Sequence, residues 1–103
     1  MNSPQKTSAR YQQQRQRAIE AAATVFADKG FHGASTQDIA SHLGIQQGSL
    51  YYYIDSKEAA LEEVCLMALR GYVSQMEHII GQKLPLEAKL ANAIRAHLGS
   101  YRE

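Results

Sequence analysis

Features that would assign this chain to several other protein classes are absent from its sequence. A single cysteine, Cys65, excludes an internal disulfide and suits a reducing compartment. No apolar run approaches the roughly 20 residues that a membrane helix needs, and the polar N-terminus lacks the apolar segment of a signal peptide. With 45% hydrophobic and 20% charged residues, the composition is that of a globular chain. We therefore expect a small cytoplasmic protein with no membrane partner.

Charge is unevenly distributed along the chain, although the net charge is only +1. Residues 1–20 carry four basic side chains (Lys6, Arg10, Arg15 and Arg17) against one acidic side chain, whereas acidic residues slightly outnumber basic ones in the rest of the chain. A basic arm is typical of proteins that bind polyanions, although many solvated termini are basic as well. The charge pattern therefore allows a nucleic-acid partner, with Arg10 or Arg15 as candidates for a phosphate or minor-groove contact.

The periodicity of apolar residues predicts helices and no strand. Gly30 and Gly44 are suited to end the first and second helices, because glycine readily adopts positive φ at a helix C-terminus. Ser35 and Asp38 have the spacing of a capping box at the start of the second helix. Pro85 is suited to the first position of the last helix. The predicted helices span about residues 11–29, 36–43, 47–53, 57–81 and 85–103.

The second and third predicted helices, in the segment "TQDIASHLGIQQGSLYYY", have the proportions of a helix-turn-helix. Gly44 supplies the turn, and the small side chain of Ala40 allows close approach of the two helices. The predicted fold class is therefore all-α, with a three-helix, homeodomain-like helix-turn-helix domain followed by a long fourth helix.

Three consecutive tyrosines, Tyr51–Tyr53, cannot share one face of a helix. On a wheel of about 100° per residue, Leu50 and Ile54 define the inward direction, so that Tyr52 is predicted to be the most exposed of the three. The outer face then carries glycine, hydroxyl and phenol groups. Such a face can enter a major groove, where small and amide side chains meet base edges and phenol hydroxyls reach phosphates.

The segments "RQRAIEAAATVFADKGF" and "STQDIASHLGIQQGSLYYYIDSKEAAL" closely resemble the N-terminal DNA-binding domain of TetR-family transcriptional regulators. The resemblance covers roughly residues 12–65. Its most specific part is the order of IA, a glycine turn, LY and a following SKE. The resemblance implies a DNA-binding regulator, most simply a repressor, that acts as a homodimer on a pseudo-palindromic operator of double-stranded DNA.

The resemblance also implies roles for individual residues. The start of the second helix would contact phosphate, the start of the third would face base edges, and the tyrosines together with the first residue of the fourth helix would meet the DNA backbone. Tyr52 matches a more variable position. The residues concerned are Thr36, Gln37, Gln47, Gly48, Ser49, Tyr51, Tyr52, Tyr53 and Lys57.

The chain departs from the family pattern in sequence and in length. Tyr53 stands where histidine is common in the family. Ala60 stands near the place of a leucine, and this smaller side chain predicts a core with less apolar contact. Family members continue into a domain for dimerisation and small-molecule effectors, so either a fragment or an unusually short relative is expected here, with incomplete cover for the last two helices. The implied organisation is a flexible basic arm (1–10), the helix-turn-helix domain (11–56), a linking helix (57–83) and the beginning of the C-terminal domain (84–103).

Two other classes of function remain open on the residues alone. A helical interaction module could use the tyrosine face to bind a protein, and this alternative differs from DNA binding in its salt dependence. An enzyme is disfavoured because no nucleophile or acid–base constellation is present, and no cofactor is predicted. Cys65 lies on the apolar side of a predicted helix, as a buried structural thiol would. A zinc site is disfavoured because the histidines lack ligand spacing; they are His32, His42, His78 and His97.

Overall fold

A computed structural model describes residues 8–100 of the chain, and every regular element within that range is a helix. The all-α prediction is therefore confirmed. The chain divides into two compact units, the first ending at Leu61 and the second beginning at Glu62. The helices are α1 (Ala9–Lys29), α2 (Thr36–Leu43), α3 (Gln47–Leu50), α4 (Lys57–Ile80) and α5 (Leu86–Gly99).

Helix α1 supplies six of the twelve buried apolar residues described in the first unit. It begins two residues before the predicted start, because the Ser8 side chain accepts a hydrogen bond from the backbone N–H of Tyr11 and caps the helix. It ends at Gly30, whose φ of +76° is costly for other residues. The buried residues of α1 are Tyr11, Ala18, Ile19, Ala21, Ala22 and Val25.

The predicted capping box at the start of α2 is confirmed. The Asp38 backbone N–H donates to Ser35 Oγ at 3.1 Å, and the Ser35 N–H donates to the Asp38 carboxylate at 3.0 Å. The Lys29 ammonium lies 3.1 Å from the same carboxylate, and together with the Ser35 hydrogen bonds it lowers the pKa of Asp38. The end of α1 is thereby linked to the start of α2.

The turn between α2 and α3 is closed by a Schellman motif. Gly44 adopts the left-handed conformation, with φ +74° and ψ +30°. Its N–H donates to the Ser41 carbonyl at 3.1 Å, and the N–H of Ile45 donates to the Ala40 carbonyl at 3.0 Å. Ala40, whose carbonyl takes part in this turn, is fully buried. The turn therefore holds α3 against the buried side of α2, and α2 contacts both α1 and α3.

Helix α3 is shorter than predicted, ending at Leu50 rather than near Tyr53. Beyond Leu50 the backbone tightens, since the N–H groups of Tyr52 and Tyr53 donate to the carbonyls of Ser49 and Leu50, three residues back. Consecutive aromatic residues are weak helix formers, and here the rings of Tyr52 and Tyr53 pack on Tyr11 of α1. The tyrosines therefore form a tight turn at the end of the helix.

The second unit contains most of α4 together with α5. Ion pairs join the two helices, with Arg70 3.5 Å from Glu87 and Arg95 3.1 Å from Glu62. Cys65 is only partly buried, although burial still raises the pKa of its thiol. Helix α5 has no fully buried residue, and four large apolar side chains of this unit are exposed: Tyr72, Ile79, Ile80 and Leu86.

Candidate nucleic-acid interface

Two buried side chains fix the orientation of α3. Leu50 is fully buried and Ile54 is 2% exposed, so the inward direction predicted from the sequence is confirmed. Gly48 and Ser49 are exposed on the other side of this short helix. Because the two anchors lie within one turn of each other, the exposed side of α3 is held as a fixed surface of the first unit.

Three of the predicted site residues, from the starts of α2 and α3 and from the tyrosine turn, form one hydrogen-bonded triangle. The hydroxyl oxygens of Thr36 and Tyr51 lie 3.0 Å apart, and Gln47 Nε2 donates to Thr36 Oγ1 at 2.6 Å and to the Tyr51 hydroxyl at 3.4 Å. Tyr51 is nevertheless 45% exposed. The triangle therefore holds three hydrogen-bonding side chains in one arrangement at the surface, which reduces the entropy lost when they bind a partner.

Gly48 occupies an open position on α3. Its φ is not positive, and a Cβ added to it would meet no atom within 4 Å. Glycine is therefore not required here by the fold, and within a helix it costs roughly 0.5–1 kcal/mol relative to alanine. The fold therefore leaves this position open at the surface of α3.

Tyr52 is not the most exposed of the three tyrosines, and that prediction was wrong. It is 38% exposed, against 45% for Tyr51. Its ring meets the Tyr11 ring edge-on with centroids 5.4 Å apart, and its carbonyl accepts a hydrogen bond from the Tyr11 hydroxyl at 3.4 Å. Tyr53 is half-buried, with its ring 5.3 Å from that of Tyr11. The wheel failed because the helix ends before Tyr52.

Tyr11 is a structural residue of the interface that the sequence interpretation missed. The stretch that begins with it, "YQQQRQR", is glutamine-rich and polar, a pattern that does not predict a buried residue. It is only 8% exposed and contacts both Tyr52 and Tyr53. The signal was present, since Tyr11 lies seven residues before Ala18 and so extends the buried stripe of α1 by two turns.

Lys57, the first residue of α4, points its ammonium at the connection between α1 and α2. Nζ donates to the carbonyls of Phe31 at 2.8 Å and Ala34 at 3.1 Å, and lies 4.3 Å from the centroid of the Phe31 ring. Two of its three N–H donors are thus used within the protein. A phosphate contact, as the resemblance implies, would have to use the third.

The remaining predicted residue, Gln37, is exposed in the first turn of α2, next to Thr36 in sequence. It takes part in none of the hydrogen bonds of the triangle. All nine predicted residues therefore lie in the first unit. Eight of them belong to α2, α3 or the tyrosine turn, and the ninth, Lys57, begins α4.

Within residues 8–100 no group of three histidine, cysteine or acidic residues could hold a metal ion. None of the helices described there combines the length and the apolar character that crossing a membrane requires.

Known proteins resemble this chain in sequence. Residues 18–64 match the family described as "Bacterial regulatory proteins, tetR family". The chain is 40% identical over 58 residues to the HTH-type transcriptional repressor KstR2 of Rhodococcus jostii (strain RHA1), covering 56% of this chain and 26% of that protein. It is 32% identical over 79 residues to the fatty acid metabolism regulator protein of Bacillus subtilis (strain 168), covering 77% and 41%. The chain thus spans well under half the length of these relatives.

Solved structures resemble it as well. A TetR-family transcriptional regulator from Mesorhizobium loti MAFF303099 superposes with a TM-score of 0.65 at 26% identity, over 70% of this chain and 36% of that one. The fatty acid degradation regulator FadR from Bacillus halodurans gives a TM-score of 0.61 at 23% identity, over 95% and 47%, and so supports the fold alone.

Proposed function

We propose that this chain, whose residues 18–64 belong to the TetR family of bacterial regulatory proteins, is a sequence-specific DNA-binding regulator of transcription. The observation that carries the proposal is the partly exposed triangle of Thr36, Gln47 and Tyr51, in which Gln47 directly precedes the open position of Gly48. The triangle supplies fixed hydrogen-bonding groups at the surface of α3. The open position of Gly48 beside it leaves room for the edge of a base pair. An enzyme is not proposed, since the relatives named above are regulators.

In this proposal the exposed side of α3 enters the major groove of double-stranded DNA. Gln47, Gly48 and Ser49 face base edges, because they begin the helix and lack the bulk that would hold it away. Thr36 and Tyr51 direct hydroxyls to phosphates on one side of the groove, and Gln37 extends that side along α2. Tyr52 and Tyr53 support the turn through Tyr11 and add backbone contacts at their exposed edges. Lys57 contributes its remaining N–H donor to phosphate.

The proposal extends to repression by a homodimer. KstR2, one of the relatives, is named as a repressor. A single helix as short as α3 reads only a few base pairs, so two copies on a pseudo-palindromic operator would provide the specificity that regulation needs. A small-molecule effector would act through a region outside the DNA-binding domain. The site of action would be the cytoplasm, where bacterial DNA lies.

The experiment that tests the proposal is selection from a random pool of DNA duplexes, followed by titration of the selected and a scrambled duplex at several salt concentrations. We expect the selected duplex to bind roughly 10³-fold or more tightly than the scrambled one, with affinity falling as salt rises. A protein interaction module would enrich no sequence. Failure to enrich any sequence over repeated rounds would therefore reject sequence-specific binding.

Replacing Tyr51 with phenylalanine is expected to weaken binding to the selected duplex about tenfold, because it removes one charge-assisted hydrogen bond to phosphate and loosens the triangle. Tyr72→Phe is the matched control, since Tyr72 is 59% exposed in the second unit. Both variants should retain wild-type circular dichroism. Equal affinities of the two variants in a fluorescence-anisotropy titration would contradict the phosphate role of Tyr51.

A further inference from the structure

The two sides of α3 face different partners within the first unit. On a wheel of about 100° per residue, Gln47 and Ser49 lie on opposite sides of the inward residue Leu50. Gln47 bonds to Thr36 on α2, whereas Ser49 lines a depression of about 150 Å³ with residues of α1. The outer face of α3 is thus bordered by α2 on one side and by α1 on the other.

The α1 border combines an apolar floor with a polar rim. The residues that line the depression are Gln14, Arg17, Ala18, Leu43, Ile45, Ser49 and Tyr53. Ile45 is 37% exposed here. At the rim, the Arg17 guanidinium donates to Gln14 Oε1 at 3.4 Å, and Arg17 itself is exposed. Arg17 therefore brings a positive charge to the same depression as Ser49, a predicted base-reading residue.

Two other cations of the first unit, Lys29 and Lys57, are engaged within the protein. Lys29 is paired with Asp38, and the Lys57 ammonium is held by two carbonyls and a ring. Arg17, by contrast, forms no ion pair with a carboxylate within residues 8–100, although Glu20 lines an adjoining depression with it. Glu20 instead accepts a hydrogen bond from Gln16 at 3.2 Å. Arg17 is thus the cation that borders α3 and is bonded only to a neutral side chain.

We infer that Arg17 is a phosphate-contacting residue of the DNA interface, on the strand opposite to the one met by Thr36 and Tyr51. A helix in the major groove lies between two phosphate backbones about 12 Å apart, so both borders of its outer face meet phosphate. The α2 border offers neutral hydroxyls, and the α1 border offers a guanidinium, which binds phosphate with two parallel N–H donors. This inference rests on the proposed function and adds to it a contact from α1.

The sequence did not indicate this contact, because Arg17 lies 32 positions before Ser49 and was counted only within a basic N-terminal segment. The fold brings the two residues to one depression. Gln14 is then a positioning residue, because its side-chain carbonyl accepts from the Arg17 guanidinium and directs it along the surface of α1.

The test is the salt dependence of binding by Arg17→Gln and Arg17→Lys, measured with the whole chain on the selected and the scrambled duplex. Each phosphate contact contributes about 0.9 to the slope of log affinity against log salt concentration. We expect Arg17→Gln to lower the affinity for both duplexes roughly tenfold at low salt. It should also reduce the slope by about 0.9, the contribution of one phosphate contact. Arg17→Lys keeps the charge and should keep most of the slope.

Arg70→Gln is the matched control, since it removes the same charge from an exposed arginine of the second unit that is paired with Glu87. A slope unchanged in Arg17→Gln, or reduced equally in Arg70→Gln, would overturn the inference while leaving the proposed function intact. If the wild-type chain selects no duplex, both the proposed function and the inference fail. If Arg17→Gln lost affinity only for the selected duplex, with no change of slope, the inference would also be overturned, because Arg17 would then be a base-reading residue.

Discussion

Replacing Gly48 with glutamine is expected to reduce affinity for the selected duplex by about 10³-fold, towards the level of non-specific binding. Gly48 is exposed on α3, and beyond its chain neighbours and the helix backbone no atom lies within 4 Å of the position that a Cβ would take. A side chain built there would extend into the space that the proposal assigns to the base pairs. It would hold the helix away from the groove, so that base contacts are lost while phosphate contacts outside α3 partly persist.

The same substitution should not weaken the folded protein. Glycine within a helix is less favourable than glutamine by somewhat under 1 kcal/mol, and the added side chain has open space. Gly71→Gln is the matched control, because Gly71 lies within α4, is exposed and also has no atom within 4 Å of an added Cβ. Both variants should unfold at or above the wild-type temperature.

The ratio of affinities for the selected and scrambled duplexes measures the Gly48 effect. We expect the ratio to collapse in Gly48→Gln and to remain at the wild-type value in Gly71→Gln. If Gly48→Gln retained the full ratio, the exposed side of α3 would not be the surface that reads DNA, and the proposed orientation of the helix would be wrong.

Replacing Leu50 with alanine is expected to lower the free energy of unfolding by about 2–5 kcal/mol. Leu50 is fully buried, and with Ile54 it anchors a helix of only four residues. The core around it contains many alanines, so few neighbouring side chains are long enough to fill the cavity. Because small domains have only about 5–15 kcal/mol of stability in total, the first unit should be severely weakened.

Urea denaturation followed by circular dichroism provides the measurement for Leu50→Ala, and Leu86→Ala is its control. Leu86 is 46% exposed at the start of α5, so removing its side chain should change the free energy of unfolding by well under half as much. Leu50→Met, which conserves volume, should recover most of the stability. Similar losses in Leu50→Ala and Leu86→Ala would contradict the assignment of Leu50 as the anchor of α3.

Several features of the first unit were predictable because their causes are local in sequence. The bounds of α2 follow from Ser35 and Asp38 at one end and from the left-handed Gly44 at the other. The inward direction of Leu50 and Ile54 follows from their spacing of one helical turn. The family resemblance rests on the same short patterns, which is why roughly residues 12–65 were recognisable without a structure, and residues 18–64 match the family.

The prediction that failed concerns the tyrosine turn, where packing against a distant helix, and not helical periodicity, decides the conformation. The wheel that made Tyr52 the most exposed tyrosine assumed that α3 continued, whereas the rings of Tyr52 and Tyr53 pack on Tyr11. Tyr11 lies 41 positions from Tyr52, beyond the reach of any helical periodicity. Likewise, the sequence "SKE" marks Lys57 as the start of a helix. It carries no information on which carbonyls will accept hydrogen bonds from the Lys57 ammonium.

By itself, then, the sequence determined the all-α class, the helix-turn-helix segment and the set of residues proposed to meet DNA. These depend on capping, turn formation and apolar spacing, which act over a few neighbouring residues. Only the tertiary structure decided which of those residues bond to one another, that Gly48 is open, and that Arg17 of α1 borders α3. Those relations join residues that are distant in the chain, and they exist only after the helices have packed.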